Sequence, residues 1–299
     1  MKSVMAPAIV SVVAGLAMPL LLGWLASKRL NVRDALDRVR VPILMGALVT
    51  LPVSLYEQLV VRLIGSAPPP SVLTLADRLA PGQTALLAAM FRADVLRASI
   101  GAALPEELLI AACLYGWLWS GGRRGPRRLL ALRTGRAVMR GAGDRRYARE
   151  IILAGIAIAL AFAAIENALF LQNVATALQV LVLRSLISTP EHAANGFGLG
   201  IFAALAYRAT TRWRAAGWAV TGVILTLVSH SIYDAVVMID ATAMRAALIL
   251  PLGGMVLICL ALALALGVIV GPALYGLHRL SRGSRHGVGS PLHADKTEA

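Results

Sequence analysis

IILAGIAIALAFAAIENALFLQN, residues 151–173, is apolar from end to end except for Glu166, Asn167 and its last two residues. As a helix rising ~1.5 Å per residue, a run of this length crosses the ~30 Å hydrocarbon core of a bilayer. A carboxylate in such surroundings costs several kcal/mol unless another group pairs with it. This one stretch therefore predicts a membrane helix with a polar task inside it.

The rest of the chain agrees. Of 299 residues, 58% are hydrophobic and 15% charged, with mean hydropathy +0.74; soluble domains carry roughly a quarter charged residues. Seven apolar runs, at about 4–26, 42–64, 97–119, 151–173, 178–207, 216–239 and 246–277, predict an all-α polytopic bundle. The first run follows Lys2 but outlasts a signal-peptide core and lacks a small-residue cleavage site, so it reads as a retained helix. The fifth and seventh exceed a straight crossing and predict tilting or breaking.

The net charge of +14 has a topological reading. SKRLNVRDALDRVR carries five basic residues, the loop at 121–150 carries ten, RATTRWR three and the tail after 277 four. Every second connection is basic, which predicts the N-terminus outside, the C-terminus in the cytoplasm and no need for a nucleic-acid partner. Residues 1–280 form the predicted membrane domain, and 281–299, rich in Gly, Ser, His and charge, a disordered cytoplasmic tail. Cys113 and Cys259 fall within predicted spans without metal spacing. A proline-rich outer loop precedes QTALLAAMF, which is too short to cross.

Ionisable residues concentrate in spans three to six. PEELLIAA holds Glu106 and Glu107, FAAIEN holds Glu166 and Asn167, STPEHAANGFGLG holds His192, and SHSIYDA holds His230 and Asp234. Counted along helices, these groups fall between the outer surface and the midplane, so they can meet. His230 and Asp234 are four apart on one face, which lets the carboxylate orient the imidazole. His192, Gly196 and Gly200 form a stripe that admits a close neighbouring helix. Glu106 and Glu107 lie ~100° apart on their helix, so at least one faces the protein interior. Two carboxyls so close in a low dielectric do not both ionise readily, which sets an acid beside a base.

Simpler readings apply to each feature alone. An intramembrane histidine often serves as a helix–helix hydrogen bond, the glycine stripe as packing, and Glu57 and Arg62 as snorkelling side chains near the outer end of span two. Glu166 has no basic neighbour on its own helix, so its partner comes from another span, with His192, His230 and Arg184 available.

Together the four segments resemble the PrsW family of glutamic-type intramembrane proteases, within the superfamily of CAAX prenyl endopeptidases and bacteriocin-processing proteins. The family pattern is a Glu-Glu pair with a lysine three residues later, then FAxxEN, then a histidine followed by small residues and glycine, then HxxxD. Here the matches are Glu106-Glu107, Phe162 to Asn167, His192 with Gly196, and His230 with Asp234, spanning about residues 97–239. Ile110 stands where the pattern has lysine, so another cation, such as Arg97 or Arg184, has to serve.

The resemblance implies an endopeptidase that cleaves a membrane-associated protein or peptide. Glu106 or Glu107 would activate water, and the other carboxyl or Glu166 would handle the proton for the leaving amine. His192 and His230 would position the water or stabilise the oxyanion with Asn167 as a further donor, and Asp234 would set the tautomer of His230. Two histidines and a glutamate can bind zinc, but HExxH spacing is absent and the resemblance implies metal-independent catalysis without a cofactor. The competing expectations are a proton- or ion-coupled transporter, to which buried Glu, His and Asp are also suited, and a non-catalytic membrane scaffold.

Overall fold

The computed structural model describes residues 5–32, 34–64, 99–120, 142–172 and 184–246, with five further positions between 271 and 278. Among these, 94% are helical and none is in a strand. Helices α1 (Met5–Arg29) and α2 (Ala35–Ile64) are followed by α3 (Leu104–Trp119), α4 (Ala142–Gln172), α5 (Thr189–Arg208) and α6 (Arg212–Ala246). Four helical stretches among the described residues are long and apolar enough to cross a membrane: Ala35–Val60, Ser99–Trp119, Arg146–Leu169 and Arg212–Asp234. That is compatible with the seven expected spans. Most of the seventh span, the proline-rich outer loop, most of the arginine-rich loop, Cys259 and the tail lie outside the described residues. Helix α6 continues to Ala246, beyond the expected end of span six at 239.

The bundle is organised around α4. Its apolar window is 78% buried, against 22% for that of α6, and α1, α2 and α5 all pack on it. Ile151, Ile152, Ile158 and Phe162 of α4 are fully enclosed with Ile110 and Leu114 of α3 and Leu199 and Ile201 of α5. In lipid, tail contacts already satisfy apolar side chains, so helices associate through close packing and small residues. The α4–α5 crossing shows this directly. A methyl group added at Gly155 would strike the Gly196 carbonyl, one at Gly196 would strike the Gly155 carbonyl, and one at Gly200 would strike the Ile152 backbone. The expected stripe at 192, 196 and 200 thus lies against α4, with Gly155 as its counterpart.

At one end of α4, Glu150 pairs with Arg38 of α2 and lies 3.6 Å from Arg146 of its own helix. Two helices have the same unusual start. A five-residue π-helical segment, Ser99–Ala103, leads into Leu104-Pro105-Glu106-Glu107. A second, Arg184–Ser188, leads into Thr189-Pro190-Glu191-His192. Proline lacks an N–H and its ring crowds the carbonyl four residues back, and a π bulge accommodates both defects. Within the described part of span five, the irregularity is this π segment just before Pro190, and the helix continues through the proline.

Candidate active site

Both prolines place acidic and imidazole side chains at the first turn after a bulge, and these turns face one another. Glu106 and Glu107 are 2% and 1% exposed, so both members of the pair point inward. His230 of α6 reaches across to them: its Nδ1 is 2.9 Å from Glu107 Oε1, and its Nε2 is 3.7 Å from Glu106 Oε2. The hydrogen-bond partner of His230 is therefore Glu107. Asp234 Oδ1 lies 3.7 Å from Nε2, in the range of an ion pair but beyond a hydrogen bond. Glu107, on another helix, thus takes the hydrogen-bonding place beside His230 that spacing along α6 suggested for Asp234.

FAxxEN acquires a physical meaning. Phe162 packs against the His192 ring with centroids 5.6 Å apart. One turn later, Glu166 Oε2 is 3.3 Å from His192 Nε2 and forms an ion pair with Arg184. Arg184 Nε donates to Asn167 Oδ1 at 2.7 Å. Asn167 Nδ2 donates to Thr189 Oγ1 at 3.0 Å, and that hydroxyl donates to the Arg184 carbonyl at 2.9 Å. The Asn167 amide thus braces the arginine at the second bulge. Of the three donors available to Glu166, His192 and Arg184 are the ones it meets; Arg97 is outside the described residues.

The two histidines stand edge to face, with centroids 5.2 Å apart. Glu106, His192 and His230 each offer a ligand atom, and these three atoms lie within 4.8 Å of one another, all in buried residues. Glu106 Oε2 and His192 Nδ1 have no hydrogen-bond partner. Glu107, Glu166, Glu191 and Asp234 add further carboxyls close by, set against the guanidinium of Arg184. A buried region so rich in carboxyl groups requires protons or a cation. Two histidines and a carboxylate are a donor set that zinc accepts in open catalytic sites, so these residues fit a divalent metal.

Three participants escape a reading of the sequence. Glu57 of α2 lies beside Glu106 instead of snorkelling. Asn195 Nδ2 donates to Glu107 Oε1 at 3.1 Å and to Glu191 Oε1 at 2.6 Å. The four-residue spacing of Glu191 and Asn195, within the same segment as His192, is the signal that could have drawn attention to them. Ile110 is 1% exposed within the apolar core, so α3 itself offers no cation to its glutamate pair.

Comparison with known proteins gives one finding. The model of the PrsW family intramembrane metalloproteases matches residues 38–267, which takes in α3 to α6 and nearly all of α2. No curated protein and no solved structure matches. A match over more than half the chain, enclosing every residue of the buried Glu–His cluster, makes this multi-pass membrane protein a member of the PrsW family of intramembrane metalloproteases.

Proposed function

We propose that the chain is an intramembrane endopeptidase that hydrolyses a peptide bond of a membrane-associated protein or peptide. The observation that carries this reading is the convergence of Glu106, His192 and His230 to within 4.8 Å in the interior of an apolar bundle. Family membership supports the same class of activity.

Hydrolysis adds water across the scissile C–N bond: hydroxide equivalents go to the carbonyl carbon, and a proton goes to the leaving amine. In the direct, glutamic route, Glu106 presents an oxygen without a hydrogen-bond partner and takes the proton from water. Glu107, held by His230 and Asn195, keeps that imidazole aimed at the same point. His192, backed by Glu166, faces the site from the opposite helix; it takes that proton from Glu106 and passes it to the leaving amine as the C–N bond breaks.

The donor set favours a second form of the same reaction, in which Glu106, His192 and His230 hold a divalent ion. Such an ion supplies Lewis-acid activation of water and of the carbonyl. Glu107 then serves as the carboxylate behind the His230 ligand, and Glu166 as the one behind His192. The alternation of basic connections supports an orientation with the N-terminus outside and the C-terminus in the cytoplasm.

The test is a comparison of membrane-protein fragments from cells carrying wild type or Glu107→Gln, followed by cleavage of a candidate substrate with purified protein. Fragments that vanish in the variant support the peptidase. An unchanged fragment pattern with ion-dependent flux through the purified protein would establish a carrier instead. An unchanged pattern without flux would leave a scaffold.

A further inference from the structure

We infer that Asn195 is a positioning residue of the hydrolytic centre. It clamps the Glu107 carboxyl in register with His230, and Glu191 in turn holds the Asn195 amide. This rests on the peptidase reading for its effect on turnover, while the clamp itself is a matter of geometry.

A primary amide carries two N–H donors on one nitrogen. Asn195 Nδ2 directs both at carboxyl oxygens, Glu107 Oε1 at 3.1 Å and Glu191 Oε1 at 2.6 Å. The opposite amide orientation would set a carbonyl oxygen against two carboxyls, so chemistry fixes which end points where. Glu107 Oε1 also meets His230 Nδ1 at 2.9 Å. Two donors from different helices therefore converge on one oxygen, and this removes the torsional freedom of the Glu107 side chain.

The resulting chain runs Glu191–Asn195–Glu107–His230 and ties α5 to α3 and α6. All four residues are at most 3% exposed. Solvent therefore gives Glu107 no substitute for the amide, and with Ile110 in the core α3 offers it no cation. Glu191 makes the clamp specific. It lies one turn before Asn195 and accepts the second N–H, so the amide cannot swing away from Glu107 without losing both bonds.

Purified full-length protein in nanodiscs tests this with Asn195→Asp, Glu191→Leu and Glu191→Gln. Two readouts serve: turnover of a cleaved substrate, and the ¹⁵N signal of His230 Nδ1 in histidine-labelled protein. Asn195→Asp keeps the shape and removes both donors, so kcat should fall about thirtyfold or more with KM within about threefold. Glu191→Leu frees the amide and should cost about tenfold, while Glu191→Gln retains an acceptor and should cost about threefold. The His230 Nδ1 signal should move in Asn195→Asp and Glu191→Leu. Full kcat in folded Asn195→Asp, or an unmoved signal, overturns the clamp. If Asn195→Asp does not fold, Glu191→Leu is judged by the same two criteria. Absence of cleavage by wild type overturns the peptidase reading instead, and the His230 signal still decides the clamp.

Discussion

Glu107 and His230, separated by 123 positions in the chain, meet at 2.9 Å where α3 faces α6. This contact closes the cluster, because it fixes which histidine nitrogen is engaged and leaves the other turned towards Glu106. The pair should behave as a unit. Glu107→Gln and His230→Ala should each lower cleavage by ~10²-fold or more, and the double variant should be little worse than either. Multiplying losses would mean that the two side chains act separately.

Metal content provides the next test. If Glu106, His192 and His230 hold a divalent ion, purified protein should carry close to one equivalent by elemental analysis. A strong chelator should abolish cleavage and lower Tm, since a ligand bound only to the folded state stabilises it. Glu106→Ala and His192→Ala should lose the equivalent. Cleavage that persists in demonstrably metal-free protein would select the glutamic route.

Glu166 answers to both His192 and Arg184, and this changes what its removal should do. Glu166→Gln keeps the shape and one acceptor, and turnover should fall by ~10²-fold if the carboxylate tunes His192. Glu166→Leu should also cost stability, because breaking a buried ion pair from one side costs about 3–5 kcal/mol. Asn167 would still accept from the guanidinium Nε at 2.7 Å. Thermal unfolding in detergent separates the two effects. Full activity in Glu166→Gln would reduce this residue to structure.

The all-helical fold and four of the site segments are legible in the sequence because ionisable residues stand out in apolar runs. Glu106, Glu107, Glu166, His192 and His230 declare themselves in this way. The roles of their neighbours do not. Depth along a helix can be counted, but rotation about its axis depends on packing, so Glu57 looks like a snorkelling residue although it turns towards Glu106. Asp234 is well placed for His230 by spacing on one helix, yet Glu107 from another helix comes closer. Asn195 is inconspicuous because a neutral amide in a glycine-rich stretch carries no charge to explain. The π segments are visible only as prolines, since a proline predicts a defect without specifying how the backbone absorbs it.

Topology can be checked independently of chemistry. With the N-terminus outside, single cysteines at position 72 should react with an impermeant reagent applied to intact cells, and cysteines at position 135 should react only after permeabilisation. The reverse pattern would invert the arrangement while leaving the cluster intact.

The α4–α5 crossing links packing to the site most directly. Gly196 lies one turn after His192, and Gly155 lies one turn and three residues before Phe162, the residue on which the His192 ring rests. Backbones touch at Gly155 and Gly196, so no rotamer can accommodate a larger side chain at either position. Leucine at Gly155 has to push α5 outward, which draws His192 away from Phe162 and from Glu166, 3.3 Å distant. Gly217 of α6 has open space where its Cβ would be, and Gly217→Leu is the matching control for the loss of a glycine as such. Gly155→Leu and Gly196→Leu should therefore lower Tm sharply, and any protein that remains folded should cleave at least about tenfold more slowly, since small displacements of catalytic groups are costly. Gly217→Leu should retain both folding and turnover. Equal behaviour of all three variants would show that the crossing does not position His192.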